Sequence, residues 1–193
     1  NKGTAYEDQR ARELMPILDC ADALLDLHAS NSQEATPFII CEFPAYNLAN
    51  KLDFNIISSG WYETDVGSTD GYMYDDGKIS LCLECGSVFK DKENVDLAKK
   101  SILQFLKYFN LIDKAVEYNS NLPKKTNLDR AGIKKTNDFK FTKDYADFEQ
   151  LKTGQVFAID GNKKHIAGQD ECIIFPRPNK KIGEKVFVIG KIK

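Results

Sequence analysis

The pattern of apolar and polar positions predicts helices alternating with strands through the first 117 residues. A polar, acid-led helix at 5–15 is expected to stop at Pro16, because proline lacks the backbone N–H that a helix interior needs. Apolar runs bounded by turn residues predict four strands, with a short helix at 45–52 between the second and the third. The strands are predicted at 23–30, 37–43, 54–59 and 79–86. This alternation is typical of an α/β sheet with flanking helices.

A long amphipathic helix is predicted after the fourth strand. Its apolar residues recur at steps of three and four, so that they form one stripe packed against the sheet. The stripe consists of Val95, Ala98, Ile102, Phe105, Leu106 and Phe109. Before that strand, the segment 60–78 is rich in Gly, Asp and Tyr and has no period of its own, which predicts an ordered functional loop.

The character of the chain changes near residue 118. Residues 117–132 resemble a linker, and short alternating strands separated by turn signals follow them. These strands are predicted in "FKFTK", "QVFAID", "ECIIFP" and "KVFVIGKI". We therefore predict two domains, an α/β domain at 1–117 and a small β-rich domain at 118–193.

Composition narrows the classes of partner and compartment. The 193 residues carry a net charge of −2 with scattered lysines, which excludes the basic stripe of a nucleic-acid-binding protein. The chain has no run of about 18 apolar residues that would predict a membrane span. Five cysteines at unequal spacings argue against a secreted disulfide framework, so a cytoplasmic location is expected.

Glu84 stands inside an otherwise apolar strand. A lone carboxylate there loses several kcal/mol of hydration unless a positive group or a hydrogen-bond donor meets it. Strand alternation puts Glu84 on one face with Cys82, and it puts His28 on one face of its own strand with Asp26. Because sites in α/β sheets form at the carboxyl ends of strands, His28 and Glu84 are candidates for one site. Singly, each also fits a structural role, as a hydrogen-bonded core histidine and a lysine-paired glutamate.

Two further features favour structural interpretations. Cys82 and Cys85 have the spacing of a zinc or redox pair, but on a strand they point to opposite faces, and no second pair accompanies them. Core packing is therefore the favoured role for both. His165 follows the turn "DGNKK" and is predicted to be a solvated hairpin residue.

Five stretches, in order, resemble the succinylglutamate desuccinylase/aspartoacylase family of zinc carboxypeptidase-like amidohydrolases. They are "YEDQRARE", "LLDLHAS", "GSTDGYM", "LCLECG" and "LKTGQVFAIDGNKKHIAGQDECIIFP". The similarity covers the carboxyl-terminal two-thirds of the family's chain. It implies part of a carboxypeptidase-like mixed sheet with flanking helices at 1–117, and a β-rich domain at 118–193 that caps the active site.

The resemblance also implies roles for the polar residues. His28 would be a ligand of one zinc ion, and Glu84 would be the catalytic glutamate of an enzyme that cleaves the amide or ester bond of a small N-acyl amino acid. Asp26 is a candidate for orienting the His28 imidazole, although a structural aspartate fits equally well. Candidate substrate-binding residues are Ser30, Thr69, Asp70 and Tyr72.

The sequence departs from the family in its metal ligands and substrate contacts. The family's other two zinc ligands come from a His-x-x-Glu motif, whereas both histidines here are followed by other residues. We expect that the sequence begins partway through the catalytic domain; the alternative is a non-catalytic, partner-binding module. A sheet edge exposed beside 23–30 would then favour self-association into a homo-oligomer. The segment before Glu84 lacks the arginine that holds the carboxylate of N-acetylaspartate in aspartoacylase, so the acyl group and the amino acid stay open.

Overall fold

The computed structural model describes residues 3–64 and 67–193, which contain four helices and eleven strands. The helices are α1 Tyr6–Cys20, α2 Tyr46–Ala49, α3 Thr69–Asp75 and α4 Asp91–Tyr108. The strands are β1 Ala23–Ser30, β2 Phe38–Ile40, β3 Ile56–Ser59, β4 Ile79–Ser87, β5 Lys124–Ile133, β6 Lys140–Phe141, β7 Glu149–Gln150, β8 Val156–Asp160, β9 Lys163–Ile166, β10 Glu171–Ile174 and β11 Lys185–Ile192. The predicted α/β class with a β-rich second part is confirmed.

Eight strands form one mixed sheet in the order β1-β4-β2-β3-β5-β11-β10-β7, and β6, β8 and β9 form a small antiparallel sheet. β1 runs parallel to β4, and β3 runs parallel to β5. β5 overlaps the segment 117–132 that resembled a linker, so that prediction is wrong for 124–132. Its backbone pairs with β3 on one side and with β11 on the other. The alternating residues Thr126 and Leu128 are buried, as expected for a strand inside a sheet. The division into domains at 117 and 118 stays a prediction.

Helix α1 continues past Pro16 to Cys20, whereas the sequence predicted a stop there. A contact from outside the helix holds its last turn. The Lys78 ammonium donates hydrogen bonds to the carbonyl oxygens of Leu18 and Asp19, at 3.0 and 2.9 Å. A cation at a helix carboxyl end satisfies free carbonyls and opposes the negative end of the helix dipole.

The segment 60–78 was predicted to be an ordered functional loop, but Thr69–Asp75 of it form helix α3; residues 65 and 66 lie outside the described residues. Ser68 begins the helix as its N-cap, with its Oγ accepting a hydrogen bond from the Gly71 N–H at 3.2 Å. This capping turn, and not apolar periodicity, is the signal for the helix.

The sheet-facing side of α4 differs in part from the predicted stripe. Ala98 and Phe105 pack against the core as expected, but Val95 and Ile102 are 47% and 38% exposed. Ser101 and Gln104 are fully buried instead. The Ser101 hydroxyl donates to the Leu97 carbonyl and the Gln104 amide donates to the Glu117 carbonyl, each at 2.8 Å, while Gln104 Oε1 has no hydrogen-bond partner among the described residues. A polar residue whose donors are paired can occupy a buried face that apolar spacing alone would not assign to it.

The two faces of β4 enter different hydrophobic clusters. Leu81, Leu83 and Cys85 pack with α4 and α2, while Cys82 packs on the other face with Phe38 and Trp61. The predicted alternation is thus confirmed, and both cysteines are buried. The face that carries Cys82 also carries Glu84.

His165 lies in β9 of the β8–β9 hairpin, opposite Ala158, so it is a hairpin residue as predicted, but its side chain is half-buried and not solvated. Its imidazole packs against the ring of Phe187 with centroids 5.1 Å apart. Burial lowers the pKa of His165. Phe187 belongs to β11 of the eight-stranded sheet and is distant in sequence from His165, so no local pattern predicts this contact.

β1 is the last strand at one end of the described sheet. The self-association expected from such an edge stays a prediction. In the described ranges, none of the helices combines the length and the apolarity needed to cross a bilayer.

A buried ion pair ties β5 to β10. Glu171 is 2% exposed, and Arg130 binds both of its carboxylate oxygens, with Nη2 to Oε2 at 2.8 Å. Burial raises the pKa of Glu171, but the hydrogen bonds from Arg130 and the Gly168 N–H outweigh it and hold that pKa below its ordinary value.

Arg130→Ala is expected to lower the free energy of unfolding by roughly 2 to 3 kcal/mol, because a buried carboxylate is left without its cation. This is below the loss at a fully buried pair because the Arg130 side chain is 39% exposed and water screens it. Urea denaturation measures the change. Arg10→Ala, which breaks the exposed pair with Glu13, is the matched control and should leave the midpoint unmoved. Equal shifts in the two variants would contradict the prediction.

Candidate active site

The pairing of β1 with β4 brings His28 and Glu84 together. The two parallel strands align His28 with Glu84 and Asp26 with Cys82, and Nδ1 of His28 lies 3.9 Å from Oε1 of Glu84. The predicted proximity is therefore confirmed. The His28 side chain is 50% exposed and that of Glu84 is 15% exposed. Both side chains line the cavity, but the carboxylate is more deeply buried than the imidazole.

Asp26 and Thr69 fix the orientation of the His28 ring. Nε2 of His28 lies 3.2 Å from Oδ1 of Asp26, whose other oxygen accepts a hydrogen bond from the Thr69 hydroxyl. The hydrogen bond to Asp26 raises the pKa of His28 in spite of burial. The same bond lowers the pKa of Asp26. With Nε2 held by Asp26, Nδ1 is the ring nitrogen turned toward Glu84 and left to bind a metal or a ligand.

Charged groups on several elements act on Glu84. Burial raises the pKa of its carboxyl, and the negative charges of Asp147 and Asp26 add to that effect, while His28 and Arg177 oppose it. The groups that lower the pKa of this strand carboxyl are therefore a histidine from β1 and an arginine from the β10–β11 connection, both acting through their charge. A carboxyl group with a raised pKa is suited to accept and return a proton near neutral pH.

Two neighbouring cavities share His28 and Glu84. One, of about 460 Å³, is lined by Asp26, Trp61, Thr69, Asp70, Cys82 and Phe175, among others. The second, of about 670 Å³, is lined by residues 29–32 that follow the histidine and by 176–180. Each volume is within the range of small-molecule sites.

The predicted substrate-binding residues divide between these cavities and other places. Thr69 and Asp70 line the smaller cavity, although the Thr69 hydroxyl is engaged with Asp26. Ser30 lines the larger one, where its hydroxyl oxygen accepts a hydrogen bond from the Ser32 N–H at 3.2 Å. Tyr72 lines neither: its hydroxyl donates to Asp19 at the end of α1, at 2.6 Å.

Cys82 is the unexpected member of the site. Donor atoms of His28, Cys82 and Glu84 all lie within 4.8 Å of one another, the one such group among the described residues. Nitrogen, sulfur and carboxylate oxygen are the donor types that zinc takes, so this group fits a divalent metal in its chemistry. Burial raises the pKa of the Cys82 thiol well above its ordinary value, so the thiol keeps its proton when no metal is bound. The alternation that put Cys82 on the face of Glu84 was the available signal.

The connection between β10 and β11 supplies residues that the sequence did not point to. Arg177, from the turn "PRPNKK", lines the larger cavity and a smaller third one of about 270 Å³ beside Trp61 and Glu84. Phe175 lines two of the three cavities. These residues reach the site only because the β10–β11 connection folds back over β4, which no local pattern predicts.

Comparison with known proteins identifies the carboxyl-terminal part of the chain. Residues 126–189 match the model of the AstE/AspA barrel-sandwich hybrid domain. No curated protein sequence matches the chain. The earlier resemblance to the succinylglutamate desuccinylase/aspartoacylase family is confirmed in this domain.

Solved structures share the fold of the whole chain. Succinylglutamate desuccinylase from Vibrio parahaemolyticus superposes with a TM-score of 0.74 at 19% identity, over 100% of this chain and 62% of its own. A succinylglutamate desuccinylase/aspartoacylase from Rhodobacter sphaeroides gives 0.71 at 19%, over 100% and 65%. The ectoine utilization protein EutE (DoeB) from Ruegeria pomeroyi gives 0.70 at 16%, over 98% and 64%. The chain thus has this fold and spans less than two-thirds of the length of each.

Proposed function

From the AstE/AspA domain at 126–189 and the desuccinylase fold of the whole chain, we propose that this chain belongs to a zinc-dependent hydrolase. The enzyme would cleave the amide bond of a small N-acyl amino acid. The observation that carries the proposal is that His28 and Glu84 lie side by side at aligned positions of two parallel strands. The His28 side chain is half-exposed and the Glu84 side chain is mostly buried.

His28 is the residue proposed to hold the metal, with Cys82 as the neighbouring donor and Asp26 orienting the imidazole. Zinc bound there would acidify a water molecule and polarise the substrate carbonyl. The ring is already turned with Nδ1 into the cavity, because its other nitrogen is held by Asp26. The site therefore needs little rearrangement of His28 to receive a cation.

Glu84 is proposed to move the proton. It takes a proton from the attacking water, whose oxygen forms a bond to the amide carbon, and it passes that proton to the leaving nitrogen as the C–N bond breaks. The products are a carboxylic acid and a free amine. Burial favours the protonated form of this carboxyl and the cationic neighbours favour the ionised one, so both forms are accessible during turnover.

The proposal predicts that the complete protein releases free amine from at least one member of a panel of N-acetyl and N-succinyl amino acids. Removal of zinc with a chelator should abolish the activity and added zinc should restore it, since the metal activates the water. Magnesium is the control cation and should not restore activity, because it prefers oxygen ligands. Full turnover by chelated protein would refute zinc dependence. A zinc-loaded protein that hydrolyses no member of the panel would favour the non-catalytic, partner-binding alternative.

A further inference from the structure

A separate cavity of about 370 Å³ lies between the end of β5 and the β8–β9 hairpin. It shares no lining residue with the two cavities that contain both His28 and Glu84. Cations dominate its charged lining, because Asp160 is the one carboxylate among the described residues that line it. The excess of positive charge points to an anionic ligand. The cations are Arg130, Lys135, Lys163 and Lys164.

The carboxylate of Asp160 is fully engaged by the protein. Asp160 is 4% exposed and accepts hydrogen bonds from the N–H groups of Lys135 and Thr136, at 2.7 and 2.8 Å, and from the Thr136 hydroxyl at 2.7 Å. Burial raises the pKa of Asp160, but these hydrogen bonds outweigh it and hold that pKa below its ordinary value. The same bonds tie the segment after β5 to the hairpin. Both walls of the cavity are thus held before a ligand arrives, which lowers the entropic cost of binding.

The lysines of the cavity, in contrast, carry their charges without a bound carboxylate. Lys135, Lys163 and Lys164 are exposed, and within the part of the chain that the structure describes none of their ammonium groups forms an ion pair or a hydrogen bond. They come from two separate elements, the segment after β5 and strand β9. Like charges that converge on one cavity repel one another, and an anion with several oxygens bound among them relieves that repulsion.

His165 records the positive potential inside the cavity that it lines. Burial lowers the pKa of its imidazole, and the charges of Lys163 and Arg130 lower it further, against the opposing charge of Asp160. The Arg130 guanidinium is itself bound by Glu171, at 2.8 Å from Nη2 to Oε2. The free cations at this site are therefore the lysines, and the imidazole beside them senses their charge.

The remaining lining is apolar. Ile133, Ile166 and the ring of Phe187 form it. The ring occupies the space beside Gly132, where an added Cβ would come within 2.2 Å of the Phe187 Cζ. Glycine at this position therefore lets the ring close one side of the cavity. A ligand with an anionic group and a small apolar body would contact both kinds of lining.

We propose that this cavity binds a small phosphorylated molecule, with its phosphate among Lys135, Lys163 and Lys164 and its organic part against Ile166 and Phe187. A phosphate monoester carries nearly two negative charges near neutral pH and three acceptor oxygens, so it can meet several lysines at once. A single carboxylate offers less charge and fewer oxygens. The proposal does not depend on the hydrolase, because no residue of this cavity takes part in the chemistry proposed there.

The imidazole of His165 makes the test specific to this cavity. Phenyl phosphate is titrated into the complete protein while the histidine ring resonances are followed by NMR, and the His165 signal is identified by its loss in His165→Asn. We expect a saturable shift of this signal and a rise in the pKa of His165, because a bound anion favours the imidazolium form. Inorganic phosphate should bind more weakly since it lacks the ring, and phenol should leave the signal unmoved at the same concentrations.

Charge-removing variants test the role of the lysines in the same titration. Lys163→Gln is expected to weaken binding of phenyl phosphate about threefold, because water screens the charge of an exposed lysine, and Lys135→Gln combined with Lys163→Gln about tenfold. Lys140→Gln is the matched control, since this exposed lysine of β6 belongs to the same small sheet but does not line the cavity. It should bind as the wild type does.

Three outcomes would overturn the proposal. The first is equal affinity of the wild type and the double variant for phenyl phosphate. The second is a shift of the His165 signal by phenol as large as that by phenyl phosphate. The third is a shift confined to His28, which would place the anion in the cavities beside Glu84.

Discussion

Glu84→Gln is expected to lower the turnover of the complete enzyme by roughly 10² to 10⁴-fold while its zinc content persists. Glutamine keeps the shape of the side chain but cannot accept a proton from water and return it to the leaving nitrogen. The effect is expected in kcat because proton transfer is part of the chemical step. Amine release and elemental analysis on the same preparation measure both quantities.

The control for this variant is Glu93→Gln, which removes an exposed carboxylate from α4. It should turn over as the wild type does. Near-full kcat in Glu84→Gln on the best substrate of the panel would contradict the assignment of Glu84 as the base. Loss of zinc in Glu84→Gln would instead make the carboxylate a ligand, which its distance from His28 and Cys82 allows.

His28→Ala is expected to remove both the metal and the activity. The substitution deletes an imidazole donor, and zinc sites with one ligand fewer lose most of their affinity. Zinc content after dialysis should fall well below one ion per chain, with hydrolysis falling to background at the same protein concentration. Titration with zinc should recover activity only at metal concentrations far above those that saturate the wild type.

His165→Ala is the matched control, because the chain has only two histidines. His165 lies in β9 against aromatic rings and takes no part in the cavities beside Glu84. It should keep its zinc and its activity. His28→Ala with a full complement of zinc would show that the metal lies elsewhere. The two active-site variants thus differ in one readout, since only His28→Ala should release the ion.

Local sequence pattern predicted the two faces of β4 but not the end of α1. Residues on a strand alternate between faces whatever the strand pairs with, so the division of β4 into a core face and a face with Cys82 and Glu84 followed from the sequence. The end of α1 did not follow from the sequence. The helix continues past Pro16 to Cys20, and Lys78, far along the chain, donates hydrogen bonds to the carbonyls of Leu18 and Asp19 in its last turn.

The candidate site shows the same division. The sequence by itself determined the α/β class, the extents of β1 and the faces on which Asp26, His28 and Glu84 lie, because these depend on periods of two and on local turn chemistry. Only the tertiary structure decided that β1 lies beside β4 in the register that aligns His28 with Glu84. It also placed Arg177 over the same cavity and Tyr72 away from it. The order of strands in a sheet and the path of a connecting loop are set by contacts between residues distant in sequence, and no local pattern encodes them.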